Sequence, residues 1–113
     1  MDDVKQKHTQ LFFYLLSSFE MSALIQMGKI KNPATDKLEK DLFQAQLSID
    51  IIDMMKEKTK GNLSDDEQKF LDNMIAQLKL NYVDELEKDK REKDFAAKSE
   101  TAQQNKNEEK SES

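Results

Sequence analysis

Apolar residues near the N-terminus recur too densely for a single amphipathic face. At about 100° per residue, Phe12, Leu15, Leu16, Phe19, Ala23 and Met27 form one broad stripe. Phe13, Tyr14, Met21, Leu24 and Ile25 fall largely outside it. The pattern predicts a helix over residues 4–27, apolar nearly all round and therefore buried on more than one side. Gly28 follows where a left-handed helix cap is expected. Pro33 then biases Asn32 away from helical geometry, and Thr35 or Asp36 is placed to cap the next helix.

That helix is predicted over residues 37–58. Leu38, Leu42, Ala45, Ile49 and Ile52 repeat at spacings of three and four, the rhythm of a core seam. A second apolar stripe runs through Phe43, Leu47, Ile51, Met54 and Met55, and Glu39, Gln46, Asp50, Asp53 and Glu57 lie between the two. The helix ends in Lys58-Thr59-Lys60-Gly61-Asn62, with Gly61 as the residue after the C-cap and lysines suited to the negative end of the dipole. Ser64 with Glu67 three positions on has the form of a capping box, which opens a third helix over residues 65–90. Its stripe is Leu71, Met74, Ile75, Leu78, Tyr82 and Leu86, with Phe70 at the edge; Leu80 and Val83 break an otherwise polar opposite face.

After Leu86 the pattern stops. Residues 87–113 hold only Phe95 and three alanines as apolar residues. Glu87–Asp94 is suited to an exposed helix, and residues 91–113 are assigned to a charged tail that is disordered over Ala96–Ser113. The chain thus divides into a helical domain, 1–90, and that tail. A foldable part of about 80 residues buries only roughly 60% of its chain surface.

Composition narrows the function. The chain of 113 residues has no cysteine, which removes disulfides and thiolate metal sites and fits a cytoplasmic location. Its net charge of −5 argues against nucleic acid as a partner. The apolar run Leu11–Met27 is short for a membrane span and contains Glu20 and Gln26; the acids Asp2 and Asp3 do not suit a signal peptide.

No constellation carries chemistry. Lys58–Ser64 combines lysines, a glycine and a helix start, but lacks the order of a phosphate loop, and Asp65, Asp66 and Glu67 oppose an anion there. Asp50, Asp53 and Glu57 have metal-ligand spacing without the histidines that di-metal bundles use. The only histidine, His8, has no neighbouring nucleophile or acid partner. No catalytic residue, metal or cofactor is expected.

Leu11–Met27, the Asn32-Pro33 loop, Asp41-Leu42 with Ala45, Ile49-Asp50, Lys58-Thr59-Lys60-Gly61-Asn62-Leu63, Glu67, Leu71 and Leu78–Tyr82 together resemble a bacterial domain-of-unknown-function family of short helical proteins. The resemblance covers about residues 9–85, and its specific part is the Lys-Thr-Lys-Gly-Asn-Leu corner. It implies a bacterial cytoplasmic protein and supplies no catalytic residue.

The expected fold is all-α: a three-helix antiparallel bundle, or an assembly of helical hairpins. Lys58, Thr59, Lys60, Gly61, Asn62, Ser64 and Glu67 form its helix–helix corner. Two helices carry two seams each, which is more apolar surface than one bundle hides. Phe13, Leu24, Ile25, Phe43, Leu47, Ile51 and Met54 are therefore the candidate interface. The expected function is a non-enzymatic interaction module that forms a homo-oligomer, a dimer first, or binds a protein partner. The alternative is a small-molecule or lipid binder with an apolar cleft along Phe12, Phe19 and the methionines.

Overall fold

The computed structural model describes the backbone of residues 2–112 and the side chains of residues 3–98. Three helices follow one another: α1 (Asp2–Gln26), α2 (Leu42–Lys58) and α3 (Asp65–Glu112). The chain divides into two compact units, Met1–Val83 and Asp84–Ser113.

In the first unit each helix contributes one edge to a single core. Leu16, Ala23 and Met27 come from α1 and its end, Ala45, Ile49 and Ile52 from α2, and Leu71, Met74, Ile75 and Leu78 from α3. Fully burying a side chain such as Leu16 or Ile52 is worth roughly 1.5–3 kcal/mol. Contacts between helices set an antiparallel order. Asp53 and Lys56 of α2 pair with Lys79 and Asp72 of α3 respectively, so higher numbers on one helix meet lower numbers on the other. The end of α1 adjoins the start of α2, where the Asp41 N–H donates to the Gln26 carbonyl at 2.7 Å.

The first corner differs from expectation. α2 starts at Leu42, not at residue 37, and its N-cap is Asp41, whose carboxylate accepts from the Gln44 N–H at 3.1 Å. Neither Thr35 nor Asp36 caps it. The cause lies in Asn32. Its side-chain oxygen accepts from the Ala34 N–H at 2.9 Å, an Asx turn across Pro33. Its carbonyl accepts from the Asp36 N–H at 2.7 Å, and its N–H donates to the Lys37 carbonyl at 2.9 Å. Asp36 sits at φ +56, a conformation that a helix start excludes. Glu39 closes the turn, accepting from Asn32 Nδ2 and Thr35 Oγ1. Leu38 consequently leaves the seam and is 62% exposed.

α1 stops through a Schellman pair: the Lys29 N–H donates to the Leu24 carbonyl and the Gly28 N–H to that of Ile25. Gly28 takes φ +80, as the motif requires. At the second corner Thr59 is the C-cap, its hydroxyl donating to the Met55 carbonyl at 2.7 Å. Gly61 therefore stands one residue beyond the position expected of it. It occupies the third place of a turn closed by the Asn62 N–H on the Thr59 carbonyl, at φ +87. Ser64 and Glu67 exchange hydrogen bonds at the start of α3: the Ser64 N–H donates to Glu67 Oε1 at 3.0 Å, and the Glu67 N–H to Ser64 Oγ at 3.2 Å.

In the second unit α3 runs on past residue 90, as the exposed helix expected over Glu87–Asp94, and continues through Ala96–Lys98, where the sequence places the start of a disordered segment. Residues 91–98 are helical with exposed side chains. Their acids and bases sit at helical spacing, and further back Lys88 pairs with Asp84 one turn earlier. The disorder expected for residues 99–113 lies outside the residues whose side chains are described.

Candidate functional site: the outward face of α2

α2 is buried along Ala45, Ser48, Ile49 and Ile52. At about 100° per residue, Phe43, Leu47 and Met54 cluster roughly opposite that edge. A short helix with one partnered face cannot hide both stripes, and it does not: Phe43 is 79% exposed, and Leu47 and Met54 are about half exposed at 47% and 48%. Ile51 is half-buried beside them, and Met55 turns inward to pack against the core.

The flanks of the stripe are polar and differ in use. On the α3 side, Asp53 and Lys56 make the inter-helix ion pairs, each at 2.9 Å. The hydrogen bond between Lys56 and Asp72 raises the lysine pKa and lowers that of the carboxyl, with Gln68 adding to the effect on Asp72. Asp50 accepts from Gln46 within α2 at 2.8 Å. Asp50, Asp53 and Glu57, which share metal-ligand spacing in the sequence, thus point to different neighbours or to solvent. Among the described residues no group of three or more His, Cys, Asp or Glu could hold a metal ion.

On the α1 side, a polar latch crosses the interface. Gln26, with its amide oriented to satisfy its surroundings, donates to the Gln44 carbonyl at 3.0 Å and the Ser22 carbonyl at 3.2 Å, with Ser48 Oγ 2.7 Å from the same nitrogen. Ser48 is buried, so this contact settles which edge of α2 faces α1. An open cleft of about 510 Å³ adjoins the latch, lined by Ser22, Ile25, Gln26, Asn32, Glu39, Lys40, Asp41 and Gln44.

The other interface candidates lie elsewhere. Phe13 stacks on Phe70 of α3, with ring centroids 4.4 Å apart, and so has a partner within the bundle. Leu24 is partly buried against the core. Ile25 is half-buried at the 510 Å³ cleft. Phe43, Leu47, Ile51 and Met54 remain together on one outward face. The expected interface leaves out the exposed apolar residues Leu11, Tyr14, Leu15 and Met21 of α1, although Tyr14 and Met21 fall outside the main stripe in the sequence. Tyr14 and Met21 are seven positions apart and opposite the core stripe, a spacing that could have found them. Leu15, expected in the core, is 46% exposed. Leu80 and Val83 of α3 are also exposed.

At the second corner Gly61, Asn62, Ser64 and Glu67 line an open cleft of about 580 Å³ together with Leu63 and with Lys5, His8 and Thr9 of α1. The corner lysines Lys58 and Lys60 are exposed and do not line it, and Thr59 is occupied in its cap. Phe12 and Phe19, expected to line an apolar cleft, pack against the core and border none of the described clefts, while Met27 and Met74 are buried in it. No helix among the described residues is long and apolar enough to cross a membrane.

A family model described as a domain of unknown function (DUF1844) matches residues 9–85, which takes in all of the corner and the α2 stripe. No curated protein and no solved structure matches the chain.

Proposed function

We propose a function from one premise: the chain belongs to the DUF1844 family, a domain of unknown function, through residues 9–85. The family description names no activity, so the surface of the molecule carries the reading. The chain is a non-enzymatic interaction module, and its business end is the outward face of α2, which docks on another protein surface, either its own or a partner's. A cysteine-free chain suits the cytoplasm as the setting.

The single observation behind this is Phe43. A phenylalanine 79% exposed on an ordered helix, one turn from Leu47 and in line with Met54, is costly to leave in water. Each such side chain is worth roughly 1.5–3 kcal/mol when fully buried. Association must offset roughly 4–15 kcal/mol of lost freedom. A stripe of this size on two facing surfaces therefore supports micromolar rather than nanomolar binding.

Carbene footprinting of the full chain tests the proposal. Labelling of Phe43, Leu47 and Met54 is expected to fall as protein concentration rises, or on adding extract of the source cells, while Leu80 stays labelled. Labelling of the stripe that matches Leu80 under every condition contradicts it.

A further inference from the structure

We infer that the surface covering the α2 stripe is a second copy of α2, packed antiparallel about a two-fold axis close to Ile51. This rests on the docking reading above and adds the identity and orientation of the occupant.

Charge is the first reason. The two ends of the stripe carry opposite balances: residues 36–41 hold three acids against two lysines, and residues 56–60 hold three lysines against one acid. Lys58 and Lys60 make no ion pair among the described residues. An antiparallel copy brings these lysines toward Glu39 and Asp41, whereas a parallel copy sets Lys58 and Lys60 beside their own counterparts. Like charges so placed select against the parallel form. The helix dipoles select in the same direction, since antiparallel neighbours set positive ends against negative ones.

The spacing of the stripe is the second reason. Leu47 stands four positions before Ile51, and Met54 and Met55 three and four after it. Reversal about Ile51 therefore brings Leu47 to within one residue of Met54 of the second copy, apolar near apolar. Phe43, eight positions before the axis, meets Lys58 of the second copy, seven after it. A lysine stem lying along an exposed ring, with its ammonium at the ring face or beyond, suits both groups. Gln44, Ile51 and Lys58 share one flank of α2 at helical spacing, and a two-fold axis keeps like flanks together. Gln44 of one copy thus lies near Lys58 of the other.

The absence of cysteine makes the geometry directly readable. Gln44→Cys and Lys58→Cys are made separately in the full chain; neither position is buried, and circular dichroism checks that each variant folds. Each variant alone, and the two mixed, are treated with a short bismaleimide and read by mass. The inference expects a covalent dimer in the mixture that joins position 44 of one copy to position 58 of the other, with little product from either variant alone. Strong cross-linking of Gln44→Cys to itself overturns the antiparallel arrangement and leaves a parallel dimer. No cross-link in any sample, with a monomeric wild-type mass, overturns the second copy as occupant. Footprint protection by cell extract would then still uphold docking on a different partner, so the two readings fail separately. The double change Lys58→Glu with Lys60→Glu is expected to weaken self-association by about tenfold or more; an unchanged dimerisation constant removes the charge argument.

Discussion

Gly61 sits at φ +87, and a Cβ built on it would meet nothing within 4 Å. The demand for glycine there is purely conformational. Gly61→Ala is expected to cost about 1 kcal/mol, through left-handed backbone strain rather than a clash. Denaturant unfolding should show a lower midpoint with an unchanged slope. Asp72 and Lys56 give a pH prediction with two limbs. The depressed carboxyl of Asp72 contributes stability above the ordinary carboxylate range and loses it as pH falls through the folded value. The raised Lys56 contributes below the ordinary lysine value and loses it as pH rises through the folded one. Between the limbs the pair is fully formed. Both groups are solvent-exposed, so the effect is small and screened by salt. Asp72→Asn should reduce the wild type's loss of stability on acidification, as measured by denaturation midpoints across pH. At this scale the sequence was readable where a side chain bonds to its own neighbours in sequence. Ser64 and Glu67 are of that kind. Asp36 and Asp41 were not distinguishable, since both are aspartates ahead of an apolar run, and what separates them is the Asn32 turn that drives Asp36 to positive φ.

The helices themselves follow from periodicity, and their ends from competition. The sequence starts α2 at residue 37 because Leu38 extends the seam of Leu42, Ala45, Ile49 and Ile52 by one more step of four. The rhythm of one residue cannot outweigh a turn held by three hydrogen bonds to the backbone groups of Asn32. Two substitutions separate the candidate caps. Asp41→Ala removes the acceptor for Gln44 and is expected to cost about 1 kcal/mol, whereas Asp36→Gly relieves a strained aspartate and should be neutral or stabilising. Reversed results would restore Asp36 as the cap. Inside the bundle, Leu16→Ala and Leu78→Ala open cavities at positions 0% and 1% exposed, and each is expected to cost about 2–5 kcal/mol by chemical denaturation. Values near zero would mean these side chains are not in a packed core.

At the scale of the whole molecule, the sequence showed that the first two helices carry more apolar surface than three packed helices need. It did not show which residues would be left over. Phe13 and Phe43 are alike in sequence terms, each outside its helix's main stripe. The fold resolves them, because Phe13 finds Phe70 at 4.4 Å while Phe43 faces away from both neighbouring helices and stays exposed. Only the packing partners of a helix, which lie far along the chain, make that distinction. Leu47→Glu should therefore leave the stability of the bundle within about 0.5 kcal/mol of wild type, as a surface change, while abolishing docking. Sedimentation velocity of the full chain over a concentration series rising from low micromolar, with Leu47→Glu alongside, is the direct test of self-association through the α2 face. The wild type is expected to pass from monomer to dimer as concentration rises, and Leu47→Glu to stay monomeric. A wild type that sediments as a monomer throughout, or a variant that dimerises as the wild type does, would contradict it.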